Sequence, residues 1–430
     1  MKKVIFLVLI LSAVLGVLFW KYGLSWFHRP QPANQPITLN IWGLWDDEGT
    51  IRPILDAYHE SHPNITLIYT KQSLLNYRTR VQTQIRASQG PDIFILHSSW
   101  TPLFYQDLAP APETIMTIGE YKQIFYPMIY ETLTSQGKIY AISRDVDGLG
   151  MYVNEDILKA TGISIPRTWV EFVEAAKKTT VRDQNGQIQT AGVALGTVSN
   201  VDFWPEILGL LFFQQPRGDL IQPANKDGIE VLQFYTSFVM DPKNKTWDST
   251  LPASTQMFAS GKLAFYFAPA FQAGILKTLN PNLKLKIAPV PQLPGKTVNY
   301  GAFWAFGVSS TSKNQNQAWE FLRFSISSQA LQLLNQKREE SGILGRSYAR
   351  VEMASLQADD PILGAFITQA PYYKSWYLNS GTEDRGINEE MMGNYAEAVD
   401  GVLQGRDPME ILQASQVNIK QTLEKYKIEK

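Results

Sequence analysis

The stretch "ITLNIWGLWDDEGTIRPILDAYHESHPNITLIY", Ile37 to Tyr69, changes its hydrophobic period twice. "ITLNIW" reads as a strand, Ile51, Ile54, Leu55 and Tyr58 then recur at helical spacing, and "ITLIY" is extended again. Beyond it, "YRTRVQTQIRASQG" places Tyr77, Val81 and Ile85 on one helical face until Gly90 stops the helix, and "DIFIL" supplies a third strand. Strands separated by helices of this length predict βαβ units and an α/β sheet covered on both faces.

In open α/β sheets ligands bind just past the carboxyl ends of strands, where the strand order switches. Two junctions of this kind follow at once. After the first strand comes "GLWDDEGT", with Trp45, Asp46, Asp47 and Glu48; after the third comes "HSSW", His97 to Trp100. Each sets an indole beside hydrogen-bonding groups. Trp45, Asp46, Ser98 and Trp100 are therefore expected to share one cleft, with His97 in a structural role.

The chain has 430 residues, more than one hydrophobic core usually serves, so two or more lobes are expected. Apolar residues at 44% and charged residues at 18% describe a folded globular protein. The formal charge of −1, with no long basic run past the first residues, leaves no electrostatic footprint for nucleic acid. Cysteine is absent, which removes disulfides, thiolate nucleophiles and cysteine zinc sites and leaves the redox compartment open.

At the start, Lys2 and Lys3 precede an uncharged run from Val4 to Trp20, followed by Trp20, Tyr22, Trp26 and Phe27. As a helix that run spans roughly 25 Å, near the lower limit for crossing a bilayer. Lysines on the cytoplasmic side and aromatics at the far interface place everything after about residue 28 outside the cytoplasm. A cleaved signal peptide is the alternative. Its cleavage site is normally A-x-A-like, whereas "RPQPANQP" offers Ala33 with Gln31 two residues before it. Residues 1–27 are thus read as a membrane anchor or signal peptide, and 28–36 as a Pro-rich linker.

A second region opens at "GKIYAISRDVDGLGMYVNEDIL" and continues with "PRTWVEFVEAAKKTT", where Thr168 and Glu171 form a capping box. "ASGKLAFYFAPAF" reads as a buried strand, and "RDPMEILQ" opens a helix with Asp407 as N-cap and Pro408 in the first position. No internal repeat appears.

Catalytic signatures are missing. There is no H-E-x-x-H and no G-x-S-x-G, and "PGKT" at Pro294 to Thr297 has Val290 where a phosphate loop needs glycine. No metal and no cofactor are expected. Asp46, Asp47, Asp145 and Asp147 supply carboxylates for a carbohydrate-processing enzyme, yet aspartates at strand ends equally accept sugar hydroxyls or cap helices. The positive signal is aromatic: 11 Trp, 19 Tyr and 21 Phe, with Trp45, Trp100, Trp204, Tyr300, Phe303, Trp304, Tyr372 and Trp376 at turns and strand ends. Sugar rings have an apolar C–H face and a polar rim, which suits flat aromatics bordered by carboxylates and hydroxyls. Trp169 and Trp319, within helical faces, are read as core.

Taken in order, "LNIWGLWDDEGTIRPILDAYHESHPNITL", "YRTRVQTQIRASQGPDIFILHSSW", "GKIYAISRDVDGLGMYVNEDILKATGISIPRTWVEFVEAAKKTT", "ASGKLAFYF", "AWEFLRF" and "AVDGVLQGRDPMEIL" resemble the extracytoplasmic solute-binding proteins of ABC importers, in the cluster of sugar binders that includes maltose-binding protein. The resemblance covers the chain from Ile37 onward. It implies a two-lobed, periplasmic-binding-protein-like α/β fold with a hinge, preceded by the N-terminal helix. Residues 37–145 with 305–345 would form the first lobe, and 146–304 with 346–430 the second. It also implies a carbohydrate or similar polar solute held between the lobes, ABC permease subunits as partners, and no catalysis. A solute sensor for a signalling partner is a third possibility. By position, Trp45, Asp46, Ser98 and Trp100 match the family's strand-end contacts, Asp147 its acidic hinge residue beside Asp145, and Trp304 the point where the chain recrosses. Many sugar binders have Gly-Pro-Trp after the "GKLAFYF" strand, whereas this chain has Ala268, Pro269 and Ala270, so Phe271 or Trp204 is expected to replace the stacking ring. Trp376 completes the expected aromatic set.

Overall fold

The computed structural model describes residues 35–428. The expected membrane-crossing segment from Val4 to Trp20 lies outside the described residues; among those described, no helix is long and apolar enough to cross a membrane.

Strand β1 (Ile37–Gly43), helix α1 (Glu48–Ser61), strand β2 (Ile65–Lys71), helix α2 (Tyr77–Arg86) and strand β3 (Ile93–His97) follow the periodicity of the sequence. Helix α1 buries Ile51, Ile54, Leu55 and Tyr58, the residues that share its apolar stripe. Strand β1 pairs in parallel with β2 on one side and with β3 on the other. All five residues of β3 are buried, as a central strand covered on both faces requires.

The ten-residue strand β4 (Asp145–Asn154) carries the chain into a second sheet. Helix α3 (Trp169–Thr179) starts on the Thr168–Glu171 capping box and packs Phe172 and Ala176 inward. Strand β5 (Ile188–Val193), helix α4 (Trp204–Gln214), strand β6 (Leu263–Pro269) and strand β7 (Asn299–Ala302) follow. The chain then returns to the first sheet as β8 (Trp304–Ser309), antiparallel to β3 with Trp304 opposite His97, and continues through helix α5 (Ser328–Glu340). Helices α6 (Ile387–Leu403) and α7 (Pro408–Lys425) close the second lobe, and Asp407 caps α7 by accepting the Glu410 N–H.

The first sheet has six strands in the order β2-β1-β3-β8 followed by Leu108–Ala109; the second has eight, with β7-β4-β6-β5 at its centre. Each sheet has its own hydrophobic core. The chain changes core between Val146 and Leu149, between Tyr300 and Phe303, and between Ala349 and Leu363, and it returns briefly to the first core at Ala370 and Tyr373 before Leu378. Near its start β4 pairs with Ser347–Tyr348 and, at Asp147 and Gly148, with β7, so the passages lie side by side. The molecule is a two-lobed α/β protein, and everything at this joint is close to both lobes.

Candidate functional site

A cavity of about 330 Å³ lies where the lobes meet. Trp45 and Asp46 reach it from the end of β1, His97 from the end of β3, Trp304 from the start of β8, and Asp145 and Asp147 from the start of β4. The second lobe contributes Phe203 and Glu206 at the beginning of α4, Phe271 after β6, Tyr300 from β7, and the Asn379–Gly381 turn. Both lobes therefore present strand and helix termini to one space, the location expected for a ligand in an open α/β sheet.

The aromatic wall is built from the pairing of β3 with β8. Trp304 meets Trp45 edge to face at 5.2 Å, His97 at 5.0 Å and Trp100 at 5.2 Å. Edge-to-face contacts of this kind fix ring planes. Trp304 and Trp45 border the cavity, whereas Trp100 is fully buried behind them. Ser98 is buried as well: its N–H donates to the Phe303 carbonyl at 2.9 Å, locking β3 to the incoming end of β8. Gly43 lacks the side chain that would collide with the Tyr69 ring, so the Tyr69 hydroxyl reaches the Asp46 carbonyl at 2.7 Å and holds the β1 junction in place.

The charged part of the first wall is an ion-paired cluster. Arg338, on α5, donates through Nε and Nη2 to both carboxylate oxygens of Asp46 at 2.9 and 2.8 Å, and through Nη1 to Asp145 at 2.8 Å. Burial alone would raise the pKa of Asp46, but the Arg338 guanidinium overrides it and holds the carboxyl at about 2. Arg144 lies over the Phe306 ring at 4.2 Å; burial lowers its pKa to about 10, against the attraction of Asp46. His97 is pushed down to about 3 by burial and stays neutral. Its Nδ1 accepts from the Ser99 N–H at 3.2 Å and from the Ser99 hydroxyl at 2.7 Å, and Asn388 of α6 donates across the lobes to that hydroxyl at 2.9 Å.

On the other side the carboxyls have hydrogen bonds but, among the described residues, no ion pair. Asp147 Oδ1 accepts from the Gly148 and Ala270 backbone N–H groups at 2.7 and 2.8 Å. Glu206 Oε1 accepts from the Ser380 N–H and hydroxyl at 2.7 and 2.8 Å. Burial pushes each up to about 7, against those hydrogen bonds. Five cavity-lining residues carry a buried polar atom with no hydrogen-bond partner among the described residues: Trp45 Nε1, Arg144 Nη1, Glu206 Oε2, Arg346 Nε and Asn379 Oδ1. Buried polar atoms are ordinarily paired, so their concentration around one cavity fits a space that takes polar groups.

Of the residues expected from the sequence, the structure brings Trp45, Asp46, Asp145, Asp147, Phe271 and Trp304 to the cavity. Ser98, Trp100, Trp204 and Trp376 lie outside its lining. Ser98 and Trp100 support the lip from behind, because the polypeptide turns into a short 3-10 helix at Ser98–Trp100 and carries their side chains inward. Trp204 opens α4 but packs on the core of the second lobe, while Phe203 and Glu206 of the same turn face the cavity. Trp376 packs against Tyr377 and Tyr395 and accepts the Tyr300 hydroxyl at its carbonyl. The sequence reading missed Arg144, Arg338, Arg346, Tyr69 and Glu206. Glu206 had a signal, being the lone charge in the apolar run "WPEILGLLFF".

The model of the family described as bacterial extracellular solute-binding protein matches residues 45–332. The chain belongs to that family. The match by itself spans both strand-end junctions, β4 and β8. Among curated relatives of this solute-binding chain, the melibiose/raffinose/stachyose-binding protein MelE of Bacillus subtilis is 21% identical over 364 residues, 81% of this chain and 83% of that protein. A binding protein of Brucella abortus is 23% identical over 282 residues, 62% of this chain, and the match spans just 66% of that relative's length. Among solved structures, the cyclic alpha-maltosyl-1,6-maltose binding protein of Arthrobacter globiformis superposes with a TM-score of 0.72 at 15% identity, over 91% of this chain and 100% of that one. An ABC transporter solute-binding protein of Thermotoga lettingae, bound with alpha-D-tagatose, gives 0.67 at 20% identity, over 90% and 99%. At these identities the likeness establishes the two-lobed fold.

Proposed function

We propose that this chain is the extracytoplasmic substrate-binding component of an ABC import system, capturing a sugar or similar polar solute between its lobes and presenting it to permease subunits without chemical turnover. The observation that carries the reading is the cavity at the lobe junction, with indole and phenyl walls from both lobes and unpaired polar atoms around it. A sugar laid against Trp45 or Trp304 buries its C–H face there and offers its hydroxyls to the polar rim. Family membership and the sugar ligands named for solved relatives of the same fold support this assignment.

The Asp46 carboxyl is unsuited to the general-acid role of a hydrolysis. With both oxygens occupied by Arg338 and a pKa near 2, it carries no proton to give to a leaving group at neutral pH. Trp45, Asp46, Asp145, Asp147, Phe271 and Trp304 are the proposed solute contacts. Passage of β4, β7 and the Ser347–Tyr348 segment side by side between the cores supplies the proposed hinge, about which the lobes close. The uncharged run from Val4 to Trp20 is the proposed membrane tether.

Titration calorimetry of the chain against a panel of mono- and oligosaccharides tests the reading. Saturable binding that is lost in Trp45→Ala and Trp304→Ala is the expected result; heats indistinguishable from dilution for every saccharide would overturn it.

A further inference from the structure

The charge of the cavity is unbalanced in one place. Its lining has five carboxyls (Asp46, Asp145, Asp147, Glu206, Glu383) and three guanidinium groups. Arg338 is consumed by Asp46 and Asp145. Arg144 feels the attraction of the same two aspartates, and Arg346 acts on Asp46 and Asp147. Glu383 is exposed to solvent, which leaves Glu206 as the buried carboxyl without a cation. No basic side chain among the described residues forms a salt bridge with it or lowers its pKa, Ser380 occupies only Oε1, and Oε2 has no partner although the residue is just 7% exposed. Burying a carboxylate with neither a counter-ion nor a full set of hydrogen bonds is costly, so the position is explained when something else brings the missing charge.

The surroundings specify what that is. Phe203, three residues earlier in the chain, and Phe271 meet at 6.2 Å beside the cavity, and Tyr300 lines it as well. Aromatic faces next to an uncompensated carboxyl form a receptor for an organic ammonium, which gains from the ring quadrupoles and from the anion together. An anionic solute would be repelled by the Glu206 carboxylate.

We propose that the solute bound in this cleft is a sugar carrying a protonated amine, and that Glu206 receives that amine. The inference rests on the carbohydrate reading above. It goes further in assigning the solute's charge and the residue that selects it.

The test is calorimetric titration of the full chain with hexosamines and hexosamine disaccharides, each set beside its N-acetylated form and its neutral hydroxyl counterpart. The amine-bearing member should bind about tenfold or more tightly than either neutral partner. In Glu206→Gln, shown to be folded by its circular dichroism and thermal transition, that preference should shrink to about twofold or less. The wild-type comparison stands whether or not the variant folds. Equal or tighter binding of the neutral sugars by the wild type overturns the amine assignment and leaves the carbohydrate reading standing. An undiminished amine preference in folded Glu206→Gln overturns the role of Glu206. Absence of binding by every saccharide overturns both readings.

Discussion

The two walls of the cleft treat charge in opposite ways. On the first-lobe side, Asp46 and Asp145 are clamped by Arg338, and Asp46 is held ionised to about pH 2. On the second-lobe side, Asp147 and Glu206 have hydrogen bonds without an ion pair among the described residues and are pushed up to about 7. The first arrangement is finished within the protein and fixes geometry. The second is incomplete, and it marks the wall on which a ligand changes the energetics most. Chemical roles in this cleft therefore follow from how each charge is compensated, and residue type alone does not distinguish them.

The first wall breaks most severely when its support is removed. Trp100 is fully buried behind Trp304, so Trp100→Ala should cost about 3–5 kcal/mol of stability, read from urea unfolding, with solute affinity falling as Trp304 loses its backing. Arg338→Met should cost about 3–4 kcal/mol, because it leaves Asp46 buried without its partner. A double Asp46→Asn, Arg338→Met variant should recover part of that loss. No recovery would show that Arg338 acts through packing and that the ion pair is not the frame of this wall.

The contrast also separates by pH. Asp46 has a folded pKa below its ordinary 3.8, so its contribution is complete above about pH 4 and is lost as the pH falls towards about 2. Glu206 has a folded pKa above its ordinary 4.5, so ligand-free stability declines as the pH rises from about 4.5 to about 7. The groups facing Glu206 are Ser380 and the Tyr300 and Tyr266 phenols, and the phenols stay protonated throughout that window. Each effect is of order 2–3 kcal/mol. Unfolding free energies measured from pH 2 to 8 should lose the acid limb in Asp46→Asn and, because Asp147 titrates in the same window, about half of the neutral limb in Glu206→Gln. Identical profiles in the two variants would erase the distinction between the walls.

How much of this was legible in the sequence varies residue by residue. The βαβ order was, because the switch from strand to helical spacing between Ile37 and Tyr69 is local and depends only on which positions are buried. That Trp45, Asp46, Asp147 and Trp304 would line one cavity was legible too, since strand ends in an α/β sheet converge wherever they lie in the chain. Arg338 was not. It stands among Lys337, Glu339 and Glu340 on a helix, where its charge looks like part of a solvated face, and only the return of α5 past β1 brings it to Asp46, 292 positions away in the chain. Trp100 and Ser98 failed in the opposite direction. Their polarity and position at a strand end suggested a lip, but one turn of 3-10 helix was enough to turn them inward. A pattern fixes which element a side chain belongs to; a single turn decides which way it points.

The smallest predicted effect concerns the link between the walls. His97, Ser99 and Asn388 form a neutral hydrogen-bonded relay from β3 to α6, with Asn388 donating to Ser99 at 2.9 Å and Ser99 donating to His97 at 2.7 Å. Arg78 on α2 and the buried Asp384, 3.3 Å apart, make a second contact between the lobes. Because each net hydrogen bond contributes about 1 kcal/mol, Ser99→Ala should lower stability by roughly that amount. It should lower solute affinity by up to about fivefold if the relay forms only when the lobes are together, since closure and binding then share the same free energy. Because His97 stays neutral to about pH 3, both effects should be flat from pH 5 to 8, unlike those of Glu206→Gln. Unfolding curves and titrations of Ser99→Ala at the two ends of that range check this. A change in stability with no change in affinity would make the relay part of the static frame, and place the moving contact between the lobes at Arg78 and Asp384 instead.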